Sequence, residues 1–263
     1  MPTTTTITVP TPTGPVPVTL TEQGAGHPVL LLHGGAGPRS VAGFAELLAG
    51  TRDARVLTPT HPGFDGTPRP EHLTSITDLA VLHLGLLEAL DLTGVTVVGN
   101  SVGGWTAAEM ALLSDPRVAG VVLVDAVGLA SDTDPIVDFF ALTMDQVTDL
   151  SYADPDRFRL DVDALPEAAR QAVAANRATL LAYGGTTMAD PTLLGRLPEI
   201  AVPTLVVWGA ADRVVPPSHG AAYAAAVPGA RLEVIDDAGH LPQLETPDRL
   251  TALVRAFAEE HAG

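Results

Sequence analysis

The chain has 263 residues, of which 46% are hydrophobic, and carries 31 acidic against 14 basic side chains for a formal charge of −17. That length and apolar content suffice for one sizeable core and exclude global disorder. A surface this acidic repels phosphate backbones and anionic lipid heads, so neither nucleic acid nor a membrane is an expected partner.

The absence of cysteine rules out disulfides, a thiol nucleophile and thiolate metal sites. The Thr- and Pro-rich start, Met1 to Pro17, has no basic segment leading into an apolar one. No run of about 18 apolar residues follows anywhere, so neither a secretory signal nor a membrane span is expected, and cytoplasmic residence is the default reading.

In chain order, Thr4 to Val9 and Val16 to Thr21 read as two strands separated by a Pro/Gly turn, which suggests an antiparallel edge. Val29 to Leu32, Arg55 to Thr58, Val95 to Val98, Val118 to Val124, Thr204 to Trp208 and Arg231 to Ile235 are short apolar or β-branched runs. Such runs are expected of strands covered on both faces, as in a parallel sheet. Between them, Ile76 to Leu90, Trp105 to Leu113, His219 to Val227 and Pro247 to His261 carry helical periodicity. The alternation predicts a doubly wound α/β sheet. From about Gly128 to Ile200 the rhythm breaks. That stretch has no strand-like run, contains a helical piece from Glu167 to Leu181, and is punctuated by Asp-Pro turns at 134–135, 154–155 and 190–191. It reads as a helical lid, residues 129–200, inserted into a core made of residues 1–128 and 201–263.

Gly99-Asn100-Ser101-Val102-Gly103 lies between a strand and a helix, where G-x-S-x-G forms a sharp turn that lifts a serine hydroxyl above the sheet. Small residues two positions away on either side are what such a turn needs. His33-Gly34-Gly35-Ala36-Gly37 also follows a strand, and glycines there let backbone N–H groups approach a substrate oxygen. The N–H groups of Gly35 and Val102 are the expected oxyanion donors. A phosphate-cradling loop is the weaker alternative, because no G-x-G-x-x-G or Walker spacing follows. Asp212 and His240 each follow a strand, in Trp208 to Pro216 and in Asp237 to Pro242. Loops at neighbouring strand ends bring such residues together, with His240 as base to Ser101 and Asp212 holding the imidazole. Asp125, which also ends a strand, competes for the acid role. His61, in Pro59 to Gly63, is the rival base and otherwise a pocket residue.

Taken with His61-Pro62-Gly63-Phe64, these segments resemble the α/β-hydrolase superfamily over nearly the whole chain, which orders its triad Ser, Asp, His. The resemblance implies an α/β-hydrolase fold, and a serine hydrolase that forms an acyl-enzyme on a small-molecule substrate without metal or organic cofactor. Gly99 to Gly104 and His33 to Gly37 are further similar to the meta-cleavage-product hydrolases, which cut carbon–carbon bonds in vinylogous diketones. That likeness implies a supporting role for Asn100 and a lid arginine for the substrate carboxylate, Arg177 first and Arg170 second. The sequence departs from it at Leu241, where that family usually has Trp. Gly34, Asn100, His61, Arg177 and Leu241 are thus the expected pocket residues. Ester hydrolysis is the leading expectation. Carbon–carbon, lactone or amide hydrolysis, acyl transfer, perhydrolysis and a non-catalytic receptor on the same fold stay open, as do monomer and homodimer. A serine rather than an aspartate in the turn weighs against dehalogenation.

Overall fold

Successive side chains of a strand point to opposite faces, so a strand covered on both sides must be apolar at every position. Leu30, Leu32, Val95, Val97, Val121, Leu123, Val206 and Trp208 enter one core. Their immediate neighbours Val29, Leu31, Val98, Val122, Val124, Leu205 and Val207 enter the other. The two cores lie on either side of a single sheet.

The structure is a computed structural model that describes residues 1–50, 53–159 and 164–261. Its strands are β1 (Thr3–Val9), β2 (Val16–Gly24), β3 (His27–Leu32), β4 (Ala54–Pro59), β5 (Val95–Asn100), β6 (Val118–Val124), the two-residue β7 (Gly128–Leu129) and β8 (Ala189–Asp190), β9 (Thr204–Gly209) and β10 (Arg231–Ile235). Eight of them form one sheet in the order β1-β2-β4-β3-β5-β6-β9-β10, while β7 pairs with β8 alone. Pairing of β1 with β2 and of β2 with β4 is antiparallel. From β4 to β10 every pairing is parallel. The antiparallel edge and the parallel body agree with the sequence reading.

The helices are α1 (Ala42–Ala49), α2 (Ile76–Ala89), α3 (Val102–Leu112), α4 (Met144–Ser151), α5 (Pro155–Phe158), α6 (Glu167–Gly184), α7 (Leu193–Arg196), α8 (Pro217–Ala226), α9 (Pro242–Glu245) and α10 (Pro247–His261). Ser75 and Asp78 close a reciprocal capping box at the start of α2. Helices α2, α3 and α8 supply the first core, and α1 and α10 the second. Helix α1, which the sequence reading lacks, is too short for a clear period, yet it buries Phe44, Ala45 and Leu48. Among the described residues no helix is long and apolar enough to cross a membrane.

Helices α4 to α7 interrupt the sheet between β6 and β9. Residues 160–163 of this stretch lie outside the described residues. Contrary to the expectation of no strand there, β7 and β8 pair at its base, Gly128 opposite Ala189 and Leu129 opposite Asp190. A charge cluster reinforces that base. Arg196 of α7 reaches both carboxylate oxygens of Glu109 on α3, at 2.9 and 2.7 Å, and Asp190 of β8 at 2.7 Å. Glu109 is buried while about a third of the Arg196 side chain, 32%, is exposed. Removing one partner of a buried pair strands the other charge. Partial exposure of Arg196 lowers the cost below the fully buried case, so Arg196→Ala is expected to destabilise the fold by about 2 kcal/mol. Urea unfolding checks this, and a loss below about 0.5 kcal/mol would mean that solvent already satisfies Glu109.

Candidate active site

Ser101 sits between β5 and α3 with φ 57° and ψ −117°. An L-residue adopts a positive φ at a cost, so its surroundings must hold it there. They do so by close backbone packing. A Cβ on Gly99 would overlap the Gly103 carbonyl, and one on Gly103 would overlap the Leu32 carbonyl. The turn is also tied to β6 by the Ser101 N–H on the Val124 carbonyl, at 2.9 Å. Val102 opens α3, so its N–H has no acceptor within the helix.

The hydroxyl Oγ of Ser101 lies 2.9 Å from His240 Nε2, and His240 Nδ1 lies 2.8 Å from Asp212 Oδ2. Beside a carboxylate, Nδ1 carries the proton, which leaves the Nε2 lone pair facing the serine. The other Asp212 oxygen accepts from the Val214 and Val215 N–H groups at 2.8 and 2.9 Å. Asp125 makes no bond to His240; its Oδ1 accepts from the Gly209 N–H at 2.8 Å. Ser101 and His240 are each only 8% exposed. Among the described residues, Asp125, Asp212 and His240 are the one cluster of His and acidic groups close enough to share a cation. Asp212 and His240 are bonded to each other and Asp125 Oδ1 to a backbone N–H, while Asp125 Oδ2 has no partner among the described residues.

The expected pocket residues divide. Gly34 borders the serine, since a Cβ there would stand 3.0 Å from Ser101 Cβ. Above Gly35, the corresponding position lies 2.6 Å from Leu180 Cδ2 of α6. Leu241, 8% exposed, follows the histidine at the start of α9. Asn100 lies behind the site as a strut. Its amide donates to the His240 carbonyl at 3.0 Å and to that of Val124 at 3.3 Å, and accepts from Gln243 at 3.0 Å. Arg177 differs most from its expected role. Its Nη2 donates to the Phe139 and Leu142 carbonyls, and its guanidinium lies over both the Phe139 and Phe140 rings. Arg170, the second choice, pairs with Glu167 at 2.5 Å.

His61 is neither pocket wall nor base. It is fully buried behind the Gly34–Gly35 loop, in a chain of three imidazoles. His33 Nδ1 donates to the Gly34 carbonyl at 2.8 Å, and His33 Nε2 accepts from the His61 N–H at 3.1 Å. His61 Nε2 donates to the His33 carbonyl at 3.0 Å, which obliges its Nδ1 to accept from His83 Nε2 at 2.9 Å. Each tautomer is thereby assigned, and each ring is neutral.

Other contacts were not legible beforehand. The buried face of α6, Asn176, Thr179, Leu180 and Tyr183, docks on the 61–65 loop. Thr179 and Tyr183 donate to the Gly63 and Pro62 carbonyls at 2.9 Å, and Asn176 accepts from the Asp65 N–H at 2.9 Å. At the other end of the insertion, the Ser151 carbonyl accepts from the His240 N–H at 2.7 Å. Glu245 bridges the Gly239 N–H at 2.6 Å and the Ala153 N–H at 2.7 Å. The one available signal was proximity: Gln243 and Glu245 lie just beyond His240.

Comparison with known proteins shows the family and the fold. The sequence model of the alpha/beta hydrolase family matches residues 29–253. A 2-hydroxymuconate semialdehyde hydrolase of Pseudomonas putida is 30% identical over 92% of this chain and 90% of its own length. A 2-hydroxy-6-oxo-6-(2'-aminophenyl)hexa-2,4-dienoic acid hydrolase of Metapseudomonas resinovorans is 29% identical over 92% of this chain and 87% of its own. Among solved structures, a thermophilic esterase from Thermogutta terrifontis superposes with a TM-score of 0.79 at 25% identity, over 99% of this chain and 100% of the other. The chain belongs to the alpha/beta hydrolase family and has its fold.

Burial pushes His61 down to about 4, against a smaller opposing pull from the His33 carbonyl. Burial lowers His33 and His83 further in the same direction. In the unfolded chain these rings titrate near 6.5. A depressed folded pKa gives stability that is fully present above 6.5 and is lost as pH falls from there toward 4, with His61 alone worth on the order of 3 kcal/mol. Urea midpoints should therefore decline across that window as the unfolded state takes up protons. A midpoint constant down to pH 5 would show that the buried rings accept protons in place.

Proposed function

We propose that this protein is a serine hydrolase that cleaves a small or medium carboxylic ester through an acyl-enzyme. The observation that carries this reading is the unbroken chain from Ser101 Oγ through His240 to Asp212, with bonds of 2.9 and 2.8 Å, at the ends of the strands. Ser101 attacks the acyl carbonyl while His240 Nε2 takes its proton. Asp212, held by two N–H groups, steadies the imidazolium. The Gly35 and Val102 N–H groups receive the developing oxyanion, Val102 at the positive end of α3. His240 then protonates the leaving alcohol and afterwards activates the water that releases the acid. Every step uses side chains and N–H groups of this chain, a small-molecule substrate and water. Residues 129–200 act as the lid over a core of 1–128 and 201–263, and Leu180 and the neighbouring apolar side chains favour a small acyl group.

The second reading is carbon–carbon hydrolysis of a dienoate-type diketone. The two bacterial relatives named above favour it. Two features weigh against it: Arg177 is spent on lid carbonyls, and Leu241 stands where an aromatic ring is usual in that group.

Ser101→Ala is expected to abolish turnover of a chromogenic ester and labelling by a fluorophosphonate probe, a loss on the order of 10⁶ in kcat, with the fold unchanged. Retention of more than a small fraction would remove Ser101 from the nucleophile role. Asp212→Asn preserves shape but misorients the imidazole, and kcat should fall by about 10⁴.

Arg177→Ala separates the two chemistries. As a lid brace, Arg177 should affect an ester and a diketone substrate equally. A KM increase confined to the carboxylate-bearing diketone, in an enzyme that turns it over, would establish the carbon–carbon reading instead.

A further inference from the structure

Asp125 follows β6 and is left-handed, with φ 44°. Its side chain is fully buried. One oxygen, Oδ1, accepts from the Gly209 N–H at 2.8 Å. The other, Oδ2, is buried with no N–H or hydroxyl to accept from. The Asp212 carboxylate is the charged neighbour of the Asp125 side chain. Ligating atoms of Asp125, Asp212 and His240 all fall within 4.8 Å of one another.

Two carboxylates this close together and out of water resist both being charged. One proton must stay with the pair, and the surroundings decide where. Asp212 accepts from Val214 N–H, Val215 N–H and His240 Nδ1–H, three donors that all stabilise an anion. Asp125 has a single backbone donor. The charge therefore resides on Asp212, and an acceptor with no donor to meet becomes, once protonated, a donor facing a carboxylate.

We infer that Asp125 is a positioning residue of the triad: it stays protonated through neutral pH and donates its O–H to the Asp212 carboxylate, fixing that carboxylate toward His240 while keeping the pair's charge at one. Burial first, and repulsion from Asp212 second, hold the Asp125 carboxyl well above the usual carboxylate range; Glu245 adds to this and the Gly209 N–H opposes it. The titratable groups facing Asp125 are Asp212 and Glu245, with His240 in contact beyond Asp212. The inference rests on the triad reading of Ser101, His240 and Asp212 for its consequence, though the protonation itself does not.

Infrared spectroscopy of the resting protein at pH 7 tests the proton without turnover. The wild type minus Asp125→Asn difference should contain the carbonyl stretch of a protonated carboxylic acid, displaced in D2O. Identical spectra in that region would overturn the proposal even if the triad reading stands, and a triad failure with Ser101→Ala would leave this result unaffected. Kinetics test the role. Asp125→Leu, with neither donor nor acceptor, should lose about 10- to 100-fold in kcat. Asp125→Asn keeps a donor for Asp212 and an acceptor for Gly209, and should rescue most of that loss. Its acid limb of kcat/KM should stay where the wild type has it, because a neutral group replaces a neutral group. If Asp125 were ionised, Asn would remove a negative charge near His240 and move that limb about one unit lower; that shift, or equal losses for Leu and Asn, would refute the proposal.

Discussion

Residue 101 holds a side chain in a backbone region that sterics disfavour, and much of the surrounding design serves to keep it there. The turn can be this sharp only because β5 and α3 approach to backbone contact through Gly99 and Gly103, with the β3 carbonyl of Leu32 pressed against the latter. That approach brings the 33–37 loop against the serine from one side. The β6 end meets it from the other through the Val124 carbonyl. A single methyl group at Gly99 or Gly103 would push these backbones apart, so the serine, the 33–37 loop and the first core are one packing problem.

The remaining site loops are held by polar struts as well as by apolar packing of Phe64, Val214, Val215 and Ala238. Asn100, next to the serine, grips the carbonyl of His240, and Gln243 from α9 completes its amide. The neutral imidazole chain of His33, His61 and His83 grips the His33 and Gly34 carbonyls. Buried polar groups of this kind are costly unless satisfied, and their directionality is what fixes loop geometry that burial alone leaves loose. The inserted helices join the same network: Ser151 and Glu245 connect α4 and its sequel to the His240 loop, and α6 is bonded to the 61–65 loop. Displacing the insertion therefore disturbs the histidine loop.

The sheet was legible because strands buried on both faces must be apolar at successive positions, a signal that Val118 to Val124 or Thr204 to Trp208 cannot conceal. The serine turn was legible because steric demand forces glycine into fixed offsets from Ser101. What stayed hidden is long-range pairing. Nothing in His61 or His83 announces that a partner lies far away in sequence, and a pocket role was the natural reading for a histidine in that loop. Arg177 is similar: its helix was apparent, but which carbonyls its guanidinium would meet depends on how the 139–144 turn folds back. Short elements, α1 and the β7–β8 pair, escape because they span too few repeats for a clear period to show.

Charge gives the last step of synthesis. A substrate bearing a carboxylate has to be brought into a protein with a formal charge of −17 and held there by a cation. Around this site the arginines are committed elsewhere. Arg177 serves the Phe139 and Leu142 carbonyls, Arg213 those of Asp149 and Tyr152, and Arg69 that of Leu73. Freeing Arg177 or Arg69 would strip half-buried carbonyls of a donor, a loss that substrate binding would have to offset, whereas the Arg213 contacts are exposed. A neutral ester has no such requirement. One fold hosts many chemistries, so likeness in sequence to dienoate and semialdehyde hydrolases does not by itself fix the charge of the substrate. The inserted helices place an apolar Leu180 against Gly35 and an Arg177 whose guanidinium is already bonded to the Phe139 and Leu142 carbonyls, the features on which the proposed preference for a neutral substrate rests.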